Sequence, residues 1–162
     1  MDWRRRARTV AMQALCQLEA QSDSFLPHLT EFIWEAAGST ELHNAETEEL
    51  RPNIESVRSY AGQLARGVWE NRERYDELIR GTAINWSPSR LNMVDRALLR
   101  LGLHEMLSGA APPKVAINEA VELAKRYGTA DSARFVNGVL DAMRKKVSAS
   151  ETAEDSPLAT DH

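Results

Sequence analysis

The sequence predicts an all-α fold, a bundle of helices joined by short turns. Apolar residues recur at spacings of three and four along most of the chain, which is the period of an amphipathic helix. No segment alternates as a half-buried strand does. With 162 residues, the chain is long enough for one domain with its own hydrophobic core. These observations favour a helical bundle over a fold that contains a sheet.

The predicted helices follow these apolar stripes. They cover about Trp3–Gln21, Ser24–Ala37, Glu55–Glu70, Leu91–Leu107 and Lys114–Tyr127, with a further helical segment around Tyr75–Ile84. A last helix begins after a cap at Asp131 or Ser132 and ends at about Val147. We therefore expect a folded domain over residues 1–147 and an acidic, disordered tail over residues 148–162.

Capping and helix-breaking residues mark the ends of these segments. Asp2 is placed to cap the first helix, and Pro27 is tolerated only within the first turn of the second. Gly109 is placed to end the helix that begins near Leu91. Between helices, the sequence predicts a solvated acidic loop over residues 38–53 and a turn at Trp86–Ser89.

The net charge of −4 comes from the end of the chain. The segment Glu151–His162 carries four acidic and no basic residues, so the rest of the chain is neutral overall. Within that neutral body, four arginines lie in the first eight residues. The single cysteine, Cys16, together with the lack of a secretory leader or an apolar run of membrane-spanning length, favours a cytoplasmic protein.

Little in the sequence indicates catalysis or metal binding. The four histidines are scattered, and one cysteine cannot complete a zinc site. There is no phosphate-binding glycine loop and no nucleophile elbow. His104 and Glu105 begin like a zinc-protease motif, but Ser108 stands where the second histidine belongs. We therefore expect a binding protein with no metal, no cofactor and no enzymatic activity.

The arginine cluster near the amino end is the first candidate site. On a helix, Arg4 and Arg8 lie one turn apart with Arg5 beside them, while Arg6 projects elsewhere. Guanidinium groups bind phosphates and stack on bases, so the cluster suits an RNA backbone. A solvated helix end explains the same pattern equally well. Cations at a helix N-terminus oppose the helix dipole, which fits an anionic partner better than it fits stability.

Two further sites rest on weaker patterns. Phe135 lies at the edge of the apolar stripe of the last helix, where an exposed ring would stack on a base and a buried one would complete the core. On the helix that begins near Leu91, Asp95, Arg96 and Arg100 lie off the apolar stripe. They fit either the rim of a protein-binding surface or ordinary solvated charges.

Several segments resemble the NusB family of transcription antitermination factors. The longest, PKVAINEAVELAKRYG, spans Pro113–Gly128 and is continued by Ser132–Asp141. The segments VDRALLRLGLHEML, at Val94–Leu107, and RRRARTVAMQALCQLE, at Arg4–Glu19, resemble the family as well. The likeness covers about residues 3–146.

The resemblance implies an all-α fold of about seven helices in two three-helix halves. It also implies a role in processive antitermination, notably of ribosomal RNA operons. Members of the family bind the boxA element of nascent RNA jointly with NusE, a small-subunit ribosomal protein, in the transcription elongation complex.

By position, the resemblance also assigns residues to these contacts. It assigns RNA binding to Arg4, Arg5, Arg6, Arg8, Asp131 and Phe135. It places Asp95, with Arg96 next to it, on the side that faces NusE. Cys16 stands where some members have an aromatic residue, so no contact is assigned there.

Two other functions are compatible with the same fold. A helical protein–protein adaptor would make no direct RNA contact, and a homodimer could cover the arginines. A NusB-like accessory module of an RNA cytosine methyltransferase would be followed by a catalytic domain, and none is expected after Val147. We expect RNA binding ahead of both alternatives.

Overall fold

A computed structural model of the chain describes residues 2–38, 53–82 and 91–154, with side-chain environments up to residue 148. Within these ranges the protein is helical and contains no strand, which confirms the all-α prediction. A 3-10 helix, Ser22–His28, follows the first of seven α-helices: α1 Trp3–Gln21, α2 Leu29–Ala37, α3 Ile54–Glu70, α4 Arg72–Thr82, α5 Met93–Ser108, α6 Pro113–Tyr127 and α7 Ser132–Glu154. Most of the predicted loop at 38–53, the turn at Trp86–Ser89, Ile84 and the end of the predicted tail lie outside the described residues.

Helix ends follow the capping residues of the sequence. The Asp2 side chain accepts a hydrogen bond from the backbone N–H of Arg4 at 3.2 Å, which confirms its predicted role as the N-cap of α1. Gly109 ends α5 with a φ of 76°, in the left-handed region that glycine adopts without strain. Pro113 begins α6, where a helix has no partner for a backbone N–H.

The structure differs from the prediction at two helices. The predicted second helix begins as the 3-10 helix, and α-helical geometry starts only at Leu29, after Pro27. Proline has no N–H to donate and its ring crowds the preceding turn, so it does not lie inside the α-helix. At the other end, α7 runs to Glu154 and not to Val147. The segment beyond Val147 is rich in alanine and glutamate, which sustain a helix without an apolar stripe.

The helices form two three-helix groups that share one core. In the amino-terminal group, α1 packs against α3 and α2, and in the carboxyl-terminal group, α6 packs against α7 and α5. Helices α1 and α3 also contact α5, and α4 lies against α5 and α7. A Cβ atom at Gly102 would lie 2.6 Å from Leu140 Cδ1, so α5 and α7 approach more closely than a larger residue would allow.

Leucine and isoleucine fill the interior that joins the two groups. The largest fully buried apolar side chains are Leu18, Leu29, Ile33, Leu64, Ile79, Leu98, Leu99, Leu101, Leu103 and Leu140. Helix α6 adds the smaller contributions of Ile117, Ala120, Leu123 and Ala124, so all three helices of each group bury part of one continuous apolar cluster. None of the helices in residues 2–38, 53–82 and 91–154 combines the length and apolarity needed to span a membrane.

The contact between α5 and α7 makes Leu140 a sensitive position. Replacing Leu140, which is 0% exposed, with alanine removes buried apolar atoms and leaves a cavity beside Gly102. We expect Leu140→Ala to lower the free energy of unfolding by about 2–5 kcal/mol, measured by urea denaturation. The matched control is Leu78→Ala on α4, where the side chain is 39% exposed. Equal losses of stability in the two variants would contradict the packing described.

Candidate nucleic-acid interface

The first turns of α1 carry the four arginines, and the structure divides them into two pairs. Arg4 and Arg5 are exposed. The Arg4 guanidinium carbon lies 4.5 Å from the ring centroid of Trp3. Arg5 donates two hydrogen bonds to the Glu119 carboxylate on α6, at 2.9 and 3.0 Å. The hydrogen bonds and the charge of Glu119 raise the pKa of Arg5 above its usual value. This pair keeps guanidinium surface open to solvent.

Arg6 and Arg8 are buried, so the four arginines do not form one exposed strip. Arg6 is 7% exposed and its Nη2 donates to the backbone oxygen of Ala36 at the end of α2, at 2.5 Å. Arg8 is 3% exposed and its Nε lies 2.9 and 3.0 Å from the two oxygens of Glu105. The predicted RNA contact of Arg6 and Arg8 therefore needs correction. Their position on the helix turns them towards the neighbouring helices and away from solvent.

Glu105 is the centre of a buried polar cluster beneath this surface. It is 1% exposed, and besides Arg8 it accepts a hydrogen bond from the Tyr60 hydroxyl at 2.7 Å. Burial alone would lower the pKa of Arg8, but the hydrogen bonds and charge of Glu105 outweigh it and raise that pKa. Burial and the bond to Glu105 raise the pKa of Tyr60 to about 12. The cluster joins α1, α3 and α5 at the point where α1 begins.

A cleft of about 220 Å³ lies beside Arg5, between α1 and α6. Lys125 and Arg126 line it together with Glu122, and both basic residues are exposed. Lys125 Nζ lies 3.2 Å from a Glu122 oxygen. Sequence reasoning did not assign a role to Lys125 or Arg126, although both stand in the last turn of α6, where cations complement the helix dipole. The cleft extends the exposed basic surface from α1 onto α6.

Phe135 and Asp131 lie at the start of α7, the helix that packs against α6. Phe135 is half-buried and packs against the edge of the core. Asp131 is exposed, and its backbone oxygen accepts a hydrogen bond from the Phe135 N–H at 3.1 Å. Ser132 is buried, and its Oγ accepts from the backbone N–H of Thr129 at 2.9 Å, so it fastens the turn before α7.

The charged residues of α5 form a network and are not ordinary solvated charges. Arg100 is 7% exposed and donates to Asp76 at 2.9 and 2.7 Å and to Glu19 at 2.9 Å. Arg96 is half-buried and also donates to Glu19. Because Glu19 lies on α1 and Asp76 on α4, these arginines hold three helices together.

Asp95 differs from the exposed rim charge that the sequence allowed. It is 7% exposed, and its backbone N–H donates to the Asn92 side chain at 2.8 Å, which is the N-cap contact of α5. Among the described residues, no group hydrogen-bonds to its buried Oδ1. Buried acceptors are nearly always paired in folded proteins, so this oxygen is an unusual feature.

Comparison with known proteins decides the family. The model of the NusB family matches residues 5–145. The chain belongs to the NusB family. The transcription antitermination protein NusB of Symbiobacterium thermophilum is 37% identical over 161 residues, covering 94% of this chain and 96% of its own length. The protein of the same name from Syntrophus aciditrophicus is 36% identical over 148 residues, covering 91% and 83%.

Solved NusB structures share the fold as well. The NusB of T. maritima superposes with a TM-score of 0.70 at 36% identity, covering 93% of this chain and 96% of that one. A structure of the antitermination factors NusB and NusE in complex with dsRNA gives a TM-score of 0.69 at 26% identity, covering 90% and 98%. The resemblance seen in the sequence is therefore confirmed over most of the chain.

The buried contact between Arg8 and Glu105 makes Arg8 a structural residue of this NusB-family chain. We expect Arg8→Met to lower the free energy of unfolding by about 3–5 kcal/mol, because it leaves the Glu105 carboxylate buried without its cationic partner. Urea denaturation measures the loss. Arg4→Met, at an exposed position of the same helix, is the matched control and should change stability by less than about 0.5 kcal/mol. A loss of stability as small at Arg8 as at Arg4 would refute the structural role.

Tyr60 should ionise only in strongly alkaline solution. Its pKa rises from 10.0 to about 12 in the folded protein, so the neutral phenol stabilises the fold fully below pH 10 and this contribution is lost as the pH rises towards 12. Subtracting the ultraviolet titration curve of Tyr60→Phe from that of the wild type isolates this phenol. An isolated transition near pH 10, the ordinary value, would contradict the contact with Glu105.

Proposed function

We propose that this chain is a transcription antitermination factor that binds a boxA-type single strand of RNA together with NusE, in the cytoplasmic transcription elongation complex. One observation carries the RNA part of the proposal. The exposed Arg5 lines a cleft with two further exposed cations, Lys125 and Arg126, and the exposed Arg4 precedes it on α1. Membership of the NusB family supports the same function, and a family structure with NusE and dsRNA supports the choice of partners.

Phosphate binding follows from the chemistry of these side chains. A guanidinium group offers parallel N–H donors that match two phosphate oxygens. Arg5 already uses this geometry with the Glu119 carboxylate, at 2.9 and 3.0 Å. An RNA phosphate would replace Glu119 at Arg5 or accept from the guanidinium edge that faces solvent. Arg4 lies next to Trp3, and its Nη1 is 3.8 Å from the exposed Asp2 carboxylate, a longer contact than that of Arg5 with Glu119.

Base recognition in this proposal falls to α7. The half-buried Phe135 ring lies on α7, which packs against α6, and base stacking on an aromatic ring contributes about 1–3 kcal/mol. Asp131, exposed one turn earlier, would accept a hydrogen bond from a base amino group. Arg6 and Arg8 act as positioning residues, since their contacts with Ala36 and Glu105 hold the start of α1 in place.

The surface around Asp95 and Arg96 is the proposed side for NusE. The Asp95 Oδ1 atom is buried and has no hydrogen-bond donor among the described residues. Because this oxygen is covered by the chain itself, the contact with NusE is proposed for the accessible edge of the neighbouring Arg96, which is half-buried. The Glu19–Arg96–Arg100 network keeps the neighbouring side chains in fixed positions, which lowers the entropy that binding costs.

Removing the exposed arginines tests the function. We expect the double variant Arg4→Ala, Arg5→Ala to bind boxA RNA more weakly than the wild type, with and without NusE. For single strands, the slope of log affinity against log salt should fall by about 0.7 for each phosphate that is no longer neutralised. Titration of labelled RNA at two salt concentrations measures both effects, and circular dichroism checks that the helices remain.

The control is Arg80→Ala, which removes an exposed arginine of α4 away from the site.

Phe135→Ala, in the same titration, should lower affinity while leaving the salt slope unchanged, since stacking releases no counterions. If the double variant binds RNA as tightly as Arg80→Ala does, the arginine site is wrong. If in addition only NusE binds and the pair shows no higher RNA affinity, the protein is an adaptor.

A further inference from the structure

A second cleft, of about 400 Å³, lies between α2 and α3 and takes no part in the site described above. Its α2 wall carries Trp34 and Thr30, and its α3 wall carries Arg58 and Arg66. Ser59 and Gln63 line its outer part. The volume falls within the range of sites that hold small molecules, about 300–1,000 Å³.

Trp34 and Arg58 form a cation–π pair in this cleft. The Arg58 guanidinium carbon lies 3.8 Å from the Trp34 ring centroid, and the indole remains 47% exposed. Arg58 also pairs with Glu55, whose oxygen lies 3.0 Å from Nη1. Because Arg58 holds the exposed indole of Trp34 in place, a nucleobase can stack on the part of the ring that faces solvent.

Arg66 adds a cation whose phosphate-binding capacity is not used. The Arg66 Nη2 donates to the Thr30 hydroxyl at 2.6 Å, and Arg66 is exposed to solvent. Within the described part of the chain, it forms no ion pair with a carboxylate. A hydroxyl satisfies one donor without neutralising the charge, so the guanidinium retains its affinity for a phosphate.

The cleft is connected to the start of α1. Arg6 donates to the backbone oxygen of Ala36, in the last turn of α2, and Trp34 stands in that same turn. Gly38, which follows, is close to Arg58, since a Cβ there would lie 3.7 Å from the Arg58 Nη2. The last turn of α2 therefore contacts both the start of α1, through Arg6, and the cleft, through Trp34.

We propose that this cleft is a second RNA site, which takes nucleotides that flank the segment held at Arg4 and Arg5. A base stacks on the exposed Trp34 ring, and Arg66 holds an adjacent phosphate. Ser59 and Gln63 offer neutral donors and acceptors to the base edge. The inference rests on the proposed function, because it requires RNA on the neighbouring surface.

The chemistry of the cleft favours RNA over a peptide. A docked amphipathic helix needs a row of exposed apolar side chains, whereas Ile33, next to Trp34, is 2% exposed. Besides Trp34, the open surface comes from arginines, a glutamate, a glutamine and hydroxyl groups. Two arginines against the one carboxylate of Glu55 also complement a phosphate strand.

The test compares a short boxA RNA with the same RNA extended at its 5′ or its 3′ end by about six uridines, a length in the range that single-strand sites cover. The extension on one side should raise wild-type affinity about 5- to 100-fold. Trp34→Ala and Arg66→Ala should each remove most of that increase and leave the affinity for the short RNA unchanged. Arg80→Ala, the charge-matched control, should retain the full increase.

The outcomes separate the two proposals. If the short RNA binds but neither extension adds affinity, or if both cleft variants keep the increase, the second site is refuted and the proposed function stands. If the cleft variants weaken the binding of NusE and leave RNA binding intact, the cleft is a protein site and the inference is wrong. If wild-type protein binds neither the short nor the extended RNA, both proposals fail together.

Discussion

The contact of Glu105 with Arg8 and Tyr60 is the constraint on which the functional surface depends. A carboxylate that is 1% exposed is costly to bury unless its oxygens are paired. Here the hydrogen-bond donors come from two other helices, Arg8 on α1 and Tyr60 on α3. The Glu105 carboxylate is therefore paired only when α1, α3 and α5 have their correct relative positions. Without these contacts, the first turns of α1 would lose the buried ion pair that joins them to α5. Its exposed arginines are therefore presented from a rigid support.

The division between buried and exposed arginines also explains how one short segment serves two purposes. Glu119 lies at the boundary: it is 2.9 Å from Arg5 Nε and 4.0 Å from Arg8 Nη1. Because Arg8 is already paired with Glu105, it loses little electrostatic stabilisation when Glu119 moves away. Arg5 can exchange the Glu119 carboxylate for an RNA phosphate, which is also anionic. In the proposed function, binding RNA at Arg5 therefore leaves the support beneath it unchanged.

The sequence was sufficient for the helices but not for the roles of individual charged residues. Apolar spacing and the caps at Asp2 and Gly109 predicted the elements, because both depend on residues close in the chain. The burial of Arg8 depends on its contact with Glu105, which is 97 residues away in the sequence. The resemblance to NusB compares residues by position alone, so it assigned RNA binding to buried and exposed arginines alike. Lys125 went unassigned because it lies on α6 and meets α1 only in the fold. A pattern along the chain identifies a helix surface, and packing decides which part of it faces solvent.

A net charge of −4 is consistent with RNA binding when the favourable charges are few and fixed in place. The exposed cations have acidic neighbours, Asp2 beside Arg4 and Glu119 and Glu122 on α6, so long-range attraction to RNA is modest. Affinity must then come from short-range interactions, namely paired guanidinium–phosphate bonds and base stacking, which add up only when several form at once. A partner that binds the same RNA raises the effective concentration of the strand at this surface. In the proposed function, joint binding with NusE would compensate for the weak local charge excess of the protein.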